Sequence, residues 1–184
     1  LAYIQDGKVS LVAPGTGKAN AINITGGTGN VGIYTVASGD DLATGAKITV
    51  NNSDSSIGLF AKSSGAVTNT GEISASGKSI KAMIAQAATI TSTGKVTVDG
   101  TALSDTDGAV GLASMDGGNL TQNHADTSIT VDGSASIGVY ADGKVGVPAA
   151  VATALNVTGG TITAKGGSFN TYAANNGTIT LNGV

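Results

Sequence analysis

The 184-residue sequence contains no cysteine and no tryptophan, and all nine of its basic residues are lysine, so arginine is missing as well. Without cysteine there is neither a disulfide framework nor a thiolate metal site, and stability must come from packing and backbone ladders. Without arginine the chain lacks the planar fork that grips phosphate and carboxylate in two-point contact. Together with a formal charge of -3, this argues against nucleic-acid, nucleotide and phosphoprotein recognition. No run of about 18 apolar residues is present to span a bilayer, and no basic segment followed by an apolar stretch resembles a signal peptide. The start at Leu1 suggests a segment cut from a longer protein, with any export signal or anchor outside it, and no membrane contact is expected of this segment. Sustained helical spacing of apolar residues is also missing; the alanine-rich runs Ile80 to Ala88 and Ala149 to Leu155 come closest to a helical turn.

Glycine contributes 29 residues, charged residues only 11%, and serine, threonine, asparagine and small aliphatics fill most other positions. Mean hydropathy is nevertheless positive, at +0.19. A disordered chain needs low hydrophobicity or high net charge, whereas this one carries enough β-branched side chain to bury.

Self-similarity organises the chain. A motif of apolar, glycine, apolar, aromatic recurs as Val31-Gly32-Ile33-Tyr34, Ile57-Gly58-Leu59-Phe60 and Ile137-Gly138-Val139-Tyr140, with a weaker copy at Val110-Gly111-Leu112-Ala113. Ile80-Lys81-Ala82-Met83 and Phe169-Asn170-Thr171-Tyr172 fit the same slots, giving six copies. Before the motif lies an alternating segment, as in Ala21 to Thr25, Lys47 to Asn51, Lys95 to Asp99 and Ser128 to Asp132. After it lies a fainter one, as in Ala66 to Thr70, Thr89 to Thr91 and Asn119 to Asn123. Period-two alternation marks half-buried strands, so each repeat reads as three short strands. Glycine follows Asp or Asn at the joints, including Asp6-Gly7, Asp99-Gly100, Asp132-Gly133 and Asn176-Gly177, and is suited to tight corners.

These features predict an all-β fold: a right-handed parallel β-helix (β-solenoid) of about six coils with three short strands per coil, formed as a single segment over residues 1–184. Right-handed crossover is the general preference of parallel strands, and the strict hexapeptide period of left-handed helices is missing. A β-sandwich is the alternative, although it would not need one motif at near-constant spacing. Longer insertions are expected at Asp99 to Asp107 and Gly143 to Ala154, the second containing Pro148. Alternation places Ile22, Ile24, Ile48, Val50, Val96, Val98, Ile129 and Val131 inward.

Ser56-Ile57-Gly58-Leu59-Phe60-Ala61 through Asn69-Thr70-Gly71-Glu72-Ile73, with Ser136-Ile137-Gly138-Val139-Tyr140-Ala141, resembles the repeats in passenger domains of large type V autotransporter adhesins of Gram-negative bacteria. The resemblance covers most of the chain. It implies export across the outer membrane, display at the cell surface, and a role in adhesion, coaggregation or biofilm growth.

Motifs that suggest chemistry reduce to turns. Gly27-Thr28-Gly29-Asn30-Val31-Gly32 matches a dinucleotide-binding pattern but leads into a strand rather than a helix. Gly15-Thr16-Gly17-Lys18 lacks the first glycine and the hydroxyl residue of a phosphate loop. Asp105-Thr106-Asp107-Gly108 offers two hard oxygen ligands, short of the six to eight that calcium takes. His124 is the only histidine, and no nucleophile stands in a recognisable elbow beside it. Eleven of the twelve acidic residues are aspartates, mostly at corners, rather than paired acids for glycoside hydrolysis. No catalytic residue, metal site or cofactor is expected.

The reading that follows is a non-enzymatic adhesive segment, a rigid stalk or surface whose partners are host or bacterial surface proteins or glycans. Two alternatives stand beside it, a polysaccharide-acting β-helix enzyme and a module that self-associates to aggregate cells. The candidate ligand-binding residues are Tyr34, Phe60, Tyr140 and Tyr172. Lys81 and Asn170 share the second motif position with the glycines, so that position is expected outward. The fourth position, by parity, then gives an outward row of Tyr34, Phe60, Met83, Ala113, Tyr140 and Tyr172. The row is open to two readings: a contact surface, or rings covered by a loop or turned into the core.

Overall fold

A computed structural model describes residues 2–4, 10–11, 20–36, 41–63, 65–144 and 152–184. The Asp6-Gly7 turn, the Gly15 to Lys18 loop and residues 145–151 of the second insertion, with Pro148, lie outside them.

Among the described residues twenty strands form three parallel sheets, visited in the same order in each coil. Sheet I contains β3 (Ala21–Thr25), β6 (Lys47–Asn51), β9 (Ile73–Lys78), β12 (Val96–Thr101), β15 (Ser128–Asp132) and β18 (Thr161–Lys165). Sheet II contains β1 (Ala2–Ile4), β4 (Val31–Val36), β7 (Ile57–Lys62), β10 (Lys81–Gln86), β13 (Val110–Met115), β16 (Ile137–Asp142) and β19 (Phe169–Ala174). Sheet III contains β2 (Ser10–Leu11), β5 (Asp41–Thr44), β8 (Ala66–Asn69), β11 (Thr89–Ser92), β14 (Asn119–Asn123), β17 (Thr153–Thr158) and β20 (Gly177–Asn182). The chain therefore winds as a β-solenoid of six full coils with three strands each, and the parallel pairing excludes the antiparallel sandwich. The alanine-rich run after Ile80 is strand β10, and Thr153 to Leu155 begins β17.

No coil can bury an apolar face alone, because each strand is only a few residues long; burial comes from stacking like on like. In sheet I one ladder runs Ile24, Val50, Ala75, Val98, Ile129, Ile162. In sheet II it runs Ile33, Leu59, Met83, Leu112, Val139, and in sheet III Leu42, Val67, Ile90, Leu120, Leu155, Ile179. Members in the inner coils are buried, whereas Ile22, Ile24, Ile162 and Ile179 in the end coils are partly buried against the same core. All eight residues expected inward by alternation thus face the core. A shorter polar ladder, Thr44, Asn69, Ser92 and Gln122, lies inside sheet III next to the corner leading back to sheet I. There the Asn69 amide donates to Gly71 O (2.9 Å) and Ser92 Oγ (3.1 Å), and the Gln122 amide donates to Gly94 O (2.9 Å).

The corners have separate requirements. Between sheets III and I the coils approach so closely that a Cβ at Gly94 would lie 1.9 Å from the Gly71 carbonyl oxygen. Between sheets I and II a left-handed residue sits two places before the sheet II strand: Gly29, Gly167, and also Ser55 (φ 49°), Ser79 (φ 50°) and Ala135 (φ 62°). Ser55 N and Ser79 N donate to the next coil, to Lys78 O and Thr101 O, both at 2.8 Å, which offsets the cost of the left-handed backbone.

This corner corrects the expected register of the third motif copy. Ser79 is the counterpart of Ser55, not of Ser56, so Lys81 pairs with Ile57, Met83 with Leu59 and Ile84 with Phe60. Met83 is therefore fully buried in the core, and Ile84 occupies the slot expected for it. The glycine slot is also inward rather than outward: a Cβ at Gly58 would meet Ile73 Cγ2 at 3.1 Å, and one at Gly138 would meet Ile162 Cγ2 at 2.4 Å. Second and third motif positions both face the interior, so alternation breaks at the corner and resumes after it.

Candidate functional site

The outer face of sheet II is unlike the other two walls. Sheet I shows the solvent two rows of short polar side chains, Asn23, Thr49, Ser74, Thr97, Ser128, Thr161 and Thr25, Asn51, Ser76, Asp99, Thr130, Thr163. Sheet III shows chiefly threonine and asparagine, as at Thr68, Thr91, Thr121, Asn156 and Thr180. Sheet II instead presents Tyr34, Phe60, Ile84, Ala113, Tyr140 and Tyr172 in one unbroken register. The first motif position adds Val31, Ile57, Lys81, Val110, Ile137 and Phe169. At one strand's width, then, two adjacent and largely apolar rows climb the solenoid.

All four candidate residues stand in that face, grouped as two aromatic pairs. The Tyr34 and Phe60 rings lie 5.1 Å apart, tilted by 54°. Those of Tyr140 and Tyr172 lie 5.8 Å apart and are stacked at 20°, with Phe169 edge-on to Tyr172 at 6.4 Å. Both separations fit favourable aromatic pairing, which fixes ring orientation before any partner arrives. Between the pairs, Ile84 and Ala113 are only 6% and 3% exposed although they lie outside the interior cluster, so little of the middle of this wall reaches solvent. Tyr172 is 45% exposed and Phe169 54%, in the last coil.

Polar groups on this face are held in place. The Lys81 ammonium donates to Ser79 O (3.0 Å) and Ser79 Oγ (3.1 Å), leaving its stem between Ile57 and Val110. Burial lowers its pKa from the ordinary lysine value, and Asp107 partly opposes that. Tyr140 donates to Asp142 Oδ2 (2.6 Å), and Asn175 Nδ2 to Asp142 Oδ1 (2.8 Å). Burial, then the Asp142 hydrogen bond and charge, raise the Tyr140 pKa above the ordinary tyrosine value. The sixth strand position carries Val36, Lys62, Gln86, Met115, Asp142 and Ala174, the most polar margin of the face.

Elsewhere, side chains that suggested chemistry serve turns. His124 Nδ1 accepts from Asp126 N (3.1 Å), Asp105 accepts from Ser134 Oγ (2.7 Å), and Ser79 Oγ donates to Asp107. A groove of about 330 Å³ over sheet I is lined by Asn52, Asp54, Ser76, Lys78, Asp99 and Thr101, and Asp54 there accepts from Lys78 N at 3.0 Å. Among the described residues no group of three or more His, Cys, Asp or Glu converges as a metal site.

Sequence reasoning identified the aromatic row but missed Ile84, because Ser79-Ile80 imitates Ser56-Ile57 one residue out of register. The distance from sheet I to sheet II is not constant, nine residues from Ile48 to Ile57 but eight from Ile73 to Lys81, so repeat spacing alone did not place it. Comparison with known protein families, curated proteins and solved structures finds no match.

Proposed function

We propose that this chain is a non-enzymatic attachment segment, exported to the surface of a Gram-negative bacterium, in which the outer wall of sheet II is the contact surface. The observation that carries the reading is the contrast between walls: two sheets present threonine, serine and asparagine to water, and one presents aligned aromatic and aliphatic side chains. Contiguous exposed apolar surface on a water-soluble face marks a contact site, and tyrosine on a rigid support offers large contact area at small entropic cost. Surface proteins and glycans are the partner classes such a wall suits, and repetition along the solenoid lets weak contacts add.

The test is attachment of the purified chain to bacterial and host cells and to glycan arrays, with Tyr34→Ala/Tyr140→Ala as the probe. The double variant should keep its circular dichroism spectrum and lose attachment. Attachment unchanged in a folded double variant would refute the assignment of sheet II. A polysaccharide substrate turned over by the pure chain would favour the enzyme reading instead.

A further inference from the structure

We infer that the partner of the sheet II wall is a second copy of this chain, packed face to face about a two-fold axis that runs along the strands between β10 and β13. This rests on the reading of sheet II as the contact surface and specifies its occupant.

The register carries the argument. Such an axis keeps strand direction and reverses the order of coils, so each side chain meets the one at the same strand position in the mirrored coil. Tyr34 then faces Tyr172 of the second copy and Phe60 faces Tyr140, aromatic against aromatic. Ile84 faces Ala113 midway between them, where little of either side chain reaches solvent. Ile57 faces Ile137 and Val31 faces Phe169, while Lys81, its ammonium bound back to Ser79, offers its stem to Val110. In the polar margin Lys62 faces Asp142, so the one fully outward cation of that row meets the one anion, twice per dimer.

Other registers lose this match. An axis through β10 sets Lys62 against Met115 and Asp142 against Val36. An axis along the stack sets Lys62 against Ile57 and Asp142 against Ile137. Each leaves a charge buried on an apolar side chain, which costs free energy without a partner. Aligned face-to-face packing is a normal mode for two sheets, and self-complementarity is what a two-fold contact demands. Six coils about 4.8 Å apart and strands of about 20 Å give a face of about 24 by 20 Å. Over two copies that is roughly 1,000 Å², at the lower bound of a specific interface.

Sedimentation velocity on the full chain tests this. The wild type should show a concentration-dependent dimer. Lys62→Asp, on an exposed side chain, should weaken it by about tenfold or more, because like charges then oppose each other. Asp142→Lys should do the same, and mixing the two single variants should restore dimer, since the carboxylate introduced at position 62 of one copy then meets the ammonium introduced at position 142 of the other. In the wild type, zero-length carbodiimide coupling should join Lys62 to Asp142 between chains; within one chain they sit three coils, about 14 Å, apart. A wild type that stays monomeric, or single variants that fail to recombine, would overturn the proposal. A monomer whose attachment still depends on Tyr34 and Tyr140 would overturn the dimer and leave the contact surface standing. A monomer whose attachment ignores them would overturn both.

Discussion

Replacing Ile90 and Ile179 separately by alanine compares one chemical change at two heights of one ladder. Both side chains face inward in sheet III, on the ladder Leu42, Val67, Ile90, Leu120, Leu155, Ile179. Ile90 is fully buried between Val67 and Leu120, while Ile179 belongs to the last coil, has a neighbour on one side only and is partly buried. Three carbons are lost in each case, about 2.4 kcal/mol of transfer free energy at ~0.8 per carbon if burial is complete. At Ile90 the coils above and below are fixed by backbone hydrogen bonds and cannot collapse into the space, so a cavity term raises the total to about 3 to 5 kcal/mol. At Ile179 water reaches the site, the transfer term falls by about half and no cavity closes over, leaving ~1 kcal/mol. For a chain of this length, ~1 kcal/mol moves Tm by about 2 to 4 °C, so Ile90→Ala should lose on the order of 10 °C and Ile179→Ala only a few. Thermal melts followed by far-ultraviolet circular dichroism read both. Equal shifts would refute the claim that stability depends on two-sided stacking.

Further outcomes follow from single contacts. Gly94→Ala puts a methyl group on the Gly71 carbonyl, where no rotamer relieves it, and should cost ~1 to 3 kcal/mol or more in urea unfolding. Ile48→Asp places a carboxylate in the dry sheet I ladder and should cost ~3 to 5 kcal/mol, read by the same measurement. The Tyr140 pKa lies above the ordinary tyrosine value of 10.0, so the folded chain holds this proton after the unfolded chain has released it. Its contribution to stability is complete below pH 10 and falls as pH rises beyond it. In an ultraviolet phenolate titration Tyr140→Phe should remove a phenol that ionises above the ordinary tyrosine value, and Asp142→Asn should make Tyr140 ionise earlier.

The solenoid was legible because its core demands the same side chain at the same height in every coil. Ile48 and Val50, or Ile129 and Val131, alternate with polar neighbours so plainly that inward facing follows from period alone. Strands β5, β9, β17, β18 and β20 were harder. In Ile73-Ser74-Ala75-Ser76 the inward residue shrinks to alanine, and in Asp41 to Thr44 the inward pair ends in a threonine of the polar ladder, so the hydrophobic rhythm fades where the fold still needs it. The corners were harder again. Left-handed backbone is expected of glycine, but Ser55, Ser79 and Ala135 adopt it at a corner where the coils are already stacked, and for Ser55 and Ser79 hydrogen bonds to the next coil hold it there.

The same reasoning explains how the aromatic row emerges from a mistaken premise. In sequence the second motif position reads as outward because Lys81 aligns there with the glycines; in the fold Lys81 belongs one place earlier, and the glycine slot opens inward onto isoleucines such as Ile73 and Ile162. Parity counted from a wrong position reaches the right face only because the chain spends two successive residues facing inward at the corner, and the two errors cancel. At Gly32, Gly58, Gly111 and Gly138 the next coil's carbonyl and an isoleucine methyl fill the space of a side chain. The slot also admits one methyl group, since Ala82 fills it in β10, in register and fully buried in the core. The glycine expected to clear a strip beside the rings on the outside instead faces the core, and the break in alternation after it turns Tyr34, Phe60 and Tyr140 outward into one row with Ile84.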